Sequence, residues 1–435
     1  MLFPASEISA LRAISTDDGQ LVIESAVDPV DLARAGSPLV RRTQLFCHPD
    51  GTVVAGLGAA WSASGSGPDR FVALQRQLTG ADLPAAGPIF AGFSFQADGP
   101  RNSEWTGFNG ADAVVPAISL SSHGATGRLV VTPTVGLPAE ELIDLLAGFD
   151  KRPPAAPFDP GDHALAAHPP SAQWRTEVQE AVGAIEQGDI SKVVLSRRVE
   201  VTTEIAPSAF ELVDHLREAY PQCHVFVWQV GDAAFIGATP ELLLSKANGA
   251  VRVNPLAGTA RRGEGDADDR AVGEALMHSA KDRHEHALVV DDIAARLEPL
   301  VESLHIPAQP SLRRMATVQH LSTEIVGTVD SAMHPLQLVD ALHPTPAVGG
   351  TPRAAALAFL DKIEGIDRGW YTGGIGWLTS DGAATFAIPL RCALINGRTS
   401  HLYAGAGIVA ESRPEAELEE TRLKFRPMLS VLTAS

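Results

Sequence analysis

Three charged side chains near the end of the chain have the spacing of one helix face. Glu417, Glu420 and Lys424 follow Pro414, a residue type favoured in the first turn of a helix. Two carboxylates and an ammonium in one row can hold a hard cation and an anion side by side. The same spacing is typical of a solvated face with a Glu-to-Lys pair, so both interpretations stay open from this row alone.

A further carboxylate falls on a second predicted helix. Val289 and Ile293 belong to its apolar stripe, and a step of four residues back from Val289 reaches Glu285. An unpaired charge in line with a buried stripe is costly, so Glu285 needs a cation. Glu285 and Glu420 together suit Mg²⁺, which prefers oxygen ligands. Zinc is disfavoured, because the neighbouring histidines lie two positions apart on the helix and there is no HExxH motif.

Two residues have the types needed for proton transfer. Lys192 opens an apolar strand, where it either reaches out to solvent or points into a pocket in which loss of water favours the neutral, basic amine. Glu241 follows a proline at the start of a predicted hairpin that turns at Asn248-Gly249. Its apolar neighbours favour the neutral carboxyl of a general acid, whereas a solvated strand end is the alternative.

Several other residues are candidates for binding an anion. Gly258 and Thr259 offer a backbone N–H and a hydroxyl, although the segment lacks the Lys-Ser/Thr of a P-loop. Arg391, placed in a strand predicted over residues 385–394, offers a rigid fork for a carboxylate. His320 lies in a short predicted strand, where a lone histidine is more often structural.

The composition excludes several classes of function. The chain has 435 residues, 45% of them apolar and 20% charged, with a formal net charge of −18. This charge argues against nucleic acid or an anionic membrane as a partner. Three cysteines without metal-type spacing, no signal peptide and no long apolar run predict a cytoplasmic protein that is not in a membrane. The G-x-G-x-x-A pattern at residues 405–410 has too little chain after it for a dinucleotide fold, and there is no G-x-S-x-G motif.

The pattern along the chain predicts two regions. Residues 1–155 carry short strand-like segments, and the proline-rich segment 153–170 is predicted to be an extended connector rather than a helix or strand. Residues 171–435 contain the candidate chemistry, beginning with a helix over residues 171–187.

Taken in order, the motifs of the second region resemble those of the chorismate-utilising enzymes, the family of anthranilate synthase component I. The resemblance covers residues 171–432. It is carried by KVVLSR (192–197), GATPELLL (237–244), PLAGT (255–259), KDRHEH (281–286), VQHL (318–321), HPTPAVGG (343–350), IPLRCA (388–393), YAGAGIV (403–409) and EETRLK (419–424).

Within this family, a few positions indicate which nucleophile attacks the chorismate ring. Lys192 resembles the general base of water-adding members, and Ala257 stands where aminodeoxychorismate synthases carry lysine. Ala347 stands where salicylate synthases tend to carry threonine. The resemblance is therefore closest to the isochorismate synthases, with salicylate synthase as the alternative. A catalytically silent chorismate-binding subunit is a third hypothesis.

The resemblance also implies a role for each candidate residue. Lys192 would activate water at ring carbon 2, and Glu241 would protonate the leaving 4-hydroxyl. Mg²⁺ would be held by Glu285 and Glu420, with Glu417 and Asp282 assisting. The implied substrate contacts are Gly258 and Thr259 for the ring carboxylate, Arg391, Lys424 and the Gly407 amide for the enolpyruvyl carboxylate, and His320 and Ala347 around the ring.

The fold implied by the resemblance is a single α/β (α+β) body. Two layered halves would contribute large, mostly antiparallel sheets packed as a sandwich, with the helices outside. The expected partner is chorismate, without an obligatory amidotransferase, and the expected state is a monomer or weak dimer. The resemblance leaves siderophore and menaquinone biosynthesis as alternative uses of the product.

Overall fold

The computed structural model describes residues 1–14, 19–134, 136–151 and 157–433. Within these residues the chain forms eleven α-helices. The helices are α1 Ala5–Ala13, α2 Pro29–Gly36, α3 Arg70–Gly80, α4 Ala139–Ala147, α5 Ser171–Glu186, α6 Ala209–Ala219, α7 Asp266–His278, α8 Ala280–Leu297, α9 Pro335–Leu342, α10 Arg353–Ile363 and α11 Pro414–Leu432.

The same described residues form 24 strands. The strands are β1 Leu21–Ser25, β2 Arg42–Cys47, β3 Thr52–Leu57, β4 Trp61–Gly65, β5 Ile89–Phe93, β6 Ala111–Val115, β7 Ile118–His123, β8 Thr126–Val131, β9 His163–His168, β10 Lys192–Thr203, β11 His224–Val230, β12 Ala233–Thr239, β13 Leu242–Ala247, β14 Ala250–Asn254, β15 Leu256–Arg261, β16 Ser303–His305, β17 Ser311–Arg314, β18 Val318–Ser322, β19 Ile325–Thr328, β20 Gly350–Thr351, β21 Gly374–Leu378, β22 Ala384–Ala387, β23 Cys392–Asn396 and β24 Thr399–Ile408.

Two large antiparallel sheets and one small sheet organise these strands. The first has 12 strands in the order β1-β8-β7-β3-β2-β11-β12-β23-β24-β10-β20, with β9 added on β10. The second has 9 strands in the order β16-β19-β14-β13-β22-β21-β5-β6-β4. The small sheet has 3 strands in the order β15-β18-β17. Neighbouring strands in all three are antiparallel, as the pairings β10–β24, β13–β22 and β15–β18 illustrate.

An aromatic layer joins the two large sheets. Phe46 and Trp228 from the first sheet pack in one buried cluster with Phe90 from the second sheet and with Trp370. Separate apolar clusters lie under the helices, for example Leu212 of α6 in one and Ile293 of α8 in another. This arrangement of packed antiparallel sheets with helices outside confirms the predicted fold class.

Local sequence signals account for several of these elements. Helix α5 matches the predicted helix, and Trp174 and Val178 on its apolar stripe are buried. The β13–β14 hairpin turns at Asn248 and Gly249, which have φ values of 51° and 75°. Both central residues are left-handed, as a type I′ hairpin turn requires, and Asn-Gly is the pair that tolerates this conformation best.

The prediction of a connector without regular structure over residues 153–170 is wrong for its second part. Residues 163–168 form strand β9, which pairs with β10 from Arg198↔His168 to Thr203↔His163. The strand lies at an edge and is largely exposed, so its sequence HALAAH carries little of the apolar alternation that would identify it. Residues 153–156 of the predicted connector lie outside the described residues.

The prediction of one continuous strand over residues 385–394 is also wrong. Strand β22 ends at Ala387 in the second sheet, and β23 begins at Cys392 in the first sheet. The chain crosses between the sheets through Pro389 and Arg391, and Arg391 has a φ of 48°. Proline cannot donate to a sheet ladder, which favours a break at this point.

Both large sheets contain strands from each side of the proline-rich segment. Strand β2 pairs with β11 in the first sheet, and β5 pairs with β21 in the second. The division into residues 1–155 and 171–435 stays a prediction. No helix in the described part of the chain is both long and apolar enough to cross a lipid bilayer.

Candidate active site

A small cavity, partly open to solvent, lies where the two large sheets, the small sheet and helices α8 and α11 meet. It brings together most of the residues selected from the sequence. Those in its lining are Glu241, Gly258, Thr259, Glu285, His320, Ala347, Arg391, Gly407, Glu420 and Lys424. The other three, Lys192, Asp282 and Glu417, lie behind this lining, in contact with residues described below.

Lys192 is buried beside Glu285. It is the first residue of β10, its side chain is 1% exposed, and its Nζ lies 3.0 Å from Oε1 of Glu285. Glu285 reaches this position because α8 buries Val289 and Ile293 on the same stripe. Burial raises the pKa of Glu285, but Lys192, together with Lys424 and Lys281, outweighs burial and lowers it overall. The charge on the apolar stripe is therefore paired.

Gly407 on β24 makes room for this pair. Gly407 is in register with Val194 of β10. A Cβ atom at position 407 would lie 2.3 Å from Oε1 of Glu285 and 3.1 Å from Cε of Lys192. Only a residue without a side chain leaves the carboxylate and the amine in place against this strand.

Glu241 presents a carboxyl with a raised pKa to the same cavity. It directly precedes β13, is 2% exposed, and its carbonyl oxygen accepts a hydrogen bond of 3.0 Å from the Ile388 N–H. Burial raises the pKa of Glu241 to about 7, against the lowering effect of Lys192 and Arg391. A carboxyl with this pKa can hold and release a proton near neutral pH.

His320 and Arg391 form a polar pair above the small sheet. Nδ1 of His320 lies 3.3 Å from the Gly258 carbonyl oxygen and 3.2 Å from Oγ1 of Thr259. A carbonyl can only accept, so Nδ1 carries the proton, and Nε2 accepts from Nη2 of Arg391 at 3.2 Å. Burial, Arg391 and Lys424 hold the pKa of His320 well below its usual value, so the ring is neutral.

Arg391 has its charge available for a ligand. Among the ion pairs of the described residues, none involves Arg391, although its guanidinium is enclosed in the cavity wall. Burial lowers its pKa from the usual arginine value. A buried cation without a paired protein carboxylate can bind the carboxylate of a ligand.

Helix α11 places a second set of charges on the cavity wall. Nζ of Lys424 lies 2.6 Å from Oε1 of Glu420 and 2.8 Å from the Gly405 carbonyl oxygen. One turn earlier, Glu417 is buried and its Oε1 lies 3.1 Å from Nζ of Lys281 on α8. Burial and the neighbouring Glu420 raise the pKa of Glu417 to about 7.

The four acidic residues match the ligand chemistry of a hard divalent cation. Within the described residues, no three His, Cys, Asp or Glu side chains form a group able to hold a metal ion in the present arrangement. Lysines pair with three of the four, namely Glu285, Glu417 and Glu420. Burial, followed by repulsion from Glu285 and Glu420, still raises the pKa of Asp282. Carboxylate oxygens under mutual repulsion favour a divalent cation of the Mg²⁺ type. The donor types therefore fit, with Glu285 and Glu420 in the cavity wall.

Two cavity residues, Tyr371 and Thr372, were not predicted from the sequence. Tyr371 stacks on Tyr403 with ring centroids 5.4 Å apart, and Thr372 has a φ of 60°. Both residues precede β21, which starts at Gly374. Thr372 and Arg391 both line the cavity with left-handed backbones, a conformation that non-glycine residues adopt mainly where the surrounding structure enforces it.

The arrangement combines proton transfer with anion binding. A carboxyl that titrates near neutral pH and a buried amine serve one small cavity, whose wall also carries a free guanidinium and an ammonium. A lining of this kind can bind the carboxylate groups of a ligand and exchange protons with it.

Comparison with known proteins identifies the family. A family profile described as "Chorismate binding enzyme" matches residues 19–433. The chain belongs to the chorismate-binding enzymes, as the resemblance of its motifs predicts.

Similar members of this family are isochorismate synthases by name. The chain is 39% identical over 393 residues to the "Salicylate biosynthesis isochorismate synthase" of Pseudomonas aeruginosa, which covers 87% of this chain and 82% of that protein. It is 35% identical to "Isochorismate synthase MenF" of Bacillus subtilis over 80% of this chain and 75% of that one. The solved structure of MenF, the menaquinone-specific isochorismate synthase from Escherichia coli, superposes with a TM-score of 0.84 at 26% identity, covering 98% of this chain and 100% of that chain.

Proposed function

We propose that the protein is an isochorismate synthase that converts chorismate to isochorismate with the help of Mg²⁺. The observation that carries this proposal is that Glu241, with a pKa of about 7, lies in the cavity wall, while the buried amine of Lys192 lies behind that wall, 3.0 Å from the lining residue Glu285. The names of the similar proteins support the same activity.

In the proposed reaction, water adds at ring carbon 2 and the hydroxyl leaves carbon 4. The neutral amine of Lys192 takes a proton from the attacking water while the new C–O bond forms. The ring double bonds shift, the bond from carbon 4 to oxygen breaks, and Glu241 gives its proton to the departing hydroxyl, which leaves as water. One water is consumed and one released, so the reaction is an isomerisation.

The buried pair of Lys192 and Glu285 sets a condition on this chemistry. Nζ of Lys192 lies 3.0 Å from Oε1 of Glu285. A lysine that acts as a general base must enter the reaction as the neutral amine. The raised pKa of Glu241 meets the opposite condition, because the general acid must begin protonated.

The substrate carboxylates are assigned to two parts of the wall. Gly258 and Thr259 would contact the ring carboxylate, where the left-handed Gly258, with a φ of 74°, brings the backbone close to the ligand. Arg391, Lys424 and the Gly407 amide would bind the enolpyruvyl carboxylate. Ala347 lies in the wall as a small apolar contact.

Glu285 and Glu420 are the residues that would hold Mg²⁺, with Glu417 and Asp282 assisting directly or through water. The bound ion would supply positive charge for the ring carboxylate and fix its position. Isothermal titration calorimetry with Mg²⁺ tests this assignment without an activity readout. We expect Glu420→Gln to weaken binding by about tenfold or more, whereas Glu419→Gln, on an exposed side of the same helix, should bind as the wild type does. Equal affinities would refute the ligand assignment.

His320 bears on salicylate synthase, the alternative function. Family resemblance gives the histidine at this position a part in pyruvate elimination. Here its Nε2 already accepts a hydrogen bond from Arg391 and its Nδ1 faces the Gly258 carbonyl, so neither nitrogen is free to take a proton. This favours an enzyme that stops at isochorismate.

A product assay tests the proposal. Purified protein is incubated with chorismate and Mg²⁺, and the products are separated by chromatography. Isochorismate alone supports the synthase, whereas salicylate with pyruvate supports the alternative, and binding without turnover indicates a silent subunit. Lys192→Ala and Glu241→Gln should each remain folded and lose roughly 10² or more in rate. Retained turnover in either variant would refute the mechanism.

The proposed reaction needs only a small-molecule substrate. Because Lys192 would activate water, no amidotransferase is required to deliver ammonia. We further propose a cytoplasmic monomer or weak dimer, with no nucleic-acid or membrane partner. The net charge of −18 argues against a nucleic-acid or anionic membrane partner, and the three buried free cysteines support the cytoplasmic location.

A further inference from the structure

A row of side chains crosses the small sheet from the cavity to the protein surface. Strand register places Thr259 of β15 and Arg313 of β17 on either side of His320 of β18. Side chains directly opposite one another in antiparallel strands lie on the same face of the sheet. Arg313 therefore lies on the cavity face, one strand farther out than His320, by roughly 5 Å.

Arg313 differs from its neighbour Arg314 in its partners. Arg314 points to the other face, where its Nε lies 3.4 Å from Oδ2 of Asp269 on α7. Arg313 is half-buried and donates to the Gln222 carbonyl oxygen at 3.0 Å. Among the ion pairs of the described residues, Arg313 takes part in none, so its charge is not neutralised by a carboxylate.

The positive charge of Arg313 affects residues of the cavity. Both Arg313 and Arg391 contribute to lowering the pKa of His320, after the larger effect of burial. Burial raises the pKa of Cys223, the residue after Gln222, and both arginines lower it. Arg313 is thus electrostatically coupled to the cavity although it is not part of the lining.

We propose that Arg313 captures the dianionic substrate outside the cavity and passes it to Arg391. This inference rests on the proposed function, because chorismate carries two carboxylates. The chain has a net charge of −18, which repels such a ligand at long range. An unneutralised cation outside the cavity offsets that repulsion along the path of entry.

The test is the salt dependence of isochorismate formation in Arg313 variants. One positive charge attracts two negative ones at roughly 10 Å in water strongly enough to change association about fourfold. Screening at an ionic strength of about 0.02 M reduces this factor, so we expect Arg313→Gln to lower kcat/KM there by about two- to threefold, through KM rather than kcat. The difference should disappear near 0.5 M, where the screening length is about 4 Å.

Two further variants separate charge from structure. Arg313→Lys keeps the charge but loses the guanidinium fork, so it should retain most of the wild-type kcat/KM and its salt slope. Arg314→Gln removes one charge from the opposite face and should change the salt slope by less than half as much. Thermal unfolding of each variant shows whether the fold is kept.

Two outcomes would overturn the role of Arg313. The first is a salt slope in Arg313→Gln equal to that of the wild type. The second is an Arg313→Lys variant as impaired as Arg313→Gln, which would indicate that the hydrogen bond to Gln222 matters and the charge does not. Failure of the wild type to form isochorismate would instead refute the proposed function, so the two failures are distinguishable.

Discussion

Replacement of Gly407 by alanine tests the geometry of the site most directly. The new Cβ would lie 2.3 Å from Oε1 of Glu285, and real Cβ contacts under 3.0 Å are essentially never found, so the carboxylate must move by about 0.7 Å. The Cβ would also lie 3.1 Å from Cε of Lys192, so both members of the pair are crowded. A misplacement of about 1 Å can cost roughly 10² in rate, so we expect Gly407→Ala to lose between about 10 and 10² in kcat/KM.

The matched control is Gly349→Ala. Gly349 precedes β20 in the loop that carries Ala347, but a Cβ there would meet its nearest neighbour, Cβ of Pro344, at an ordinary 3.5 Å. Steady-state kinetics of isochorismate formation should leave this variant within about twofold of the wild type. Circular dichroism of both variants confirms that the fold is kept. If Gly407→Ala retained wild-type kcat/KM, close contact between β24 and the Lys192–Glu285 pair would not matter for activity.

Three other predictions follow from burial and charge. The pKa of Glu241 is raised from 4.5 to about 7, so activity should fall as the pH rises through about 7 and the acid ionises. The stability that comes from its neutral form is complete below pH 4.5 and is lost as the pH rises from 4.5 to about 7. A flat rate profile between about pH 6 and 8.5 would contradict the shift. Arg391→Lys should raise KM for chorismate by about tenfold with a smaller effect on kcat. The reason is that lysine lacks the forked guanidinium that can bind His320 and a substrate carboxylate together. An unchanged KM would rule out the contact between Arg391 and the substrate carboxylate. The Ile293 side chain is 1% exposed, so Ile293→Ala should lower the free energy of unfolding, measured by urea titration, by about 2–5 kcal/mol. Val72→Ala, at an exposed position, should lower it by less than about 1 kcal/mol, and equal losses would contradict the assigned core.

Local chemistry accounts for what the sequence predicted well. The helix at residues 171–187, the stripe that places Glu285 and the Asn248-Gly249 turn all follow from periodicity and backbone preference over a few neighbouring residues. The row of charged residues on α11 was predicted for the same reason. The order of the motifs along the chain indicated the family, which no single motif could identify.

The secondary-structure predictions are wrong where an element depends on contacts with distant parts of the chain. Strand β9 is defined by its pairing with β10 and carries almost no apolar pattern of its own. The segment around Arg391 looks like one alternating strand, yet it leaves one sheet and enters another. Periodicity reports which face of an element is buried, but it does not report which sheet the element joins.

The sequence alone determined the residue types, the helices that carry Glu285 and Glu420, and the resemblance to chorismate-utilising enzymes. Only the tertiary structure decided that Glu285 pairs with Lys192 at 3.0 Å, that Gly407 makes room for both, and that Arg391 turns toward His320 with a left-handed backbone. These contacts join residues far apart in the chain, and their distances are set by how sheets and helices pack together. The physical reason is that local patterns determine each element by itself, whereas the shape and charge of a cavity arise between elements.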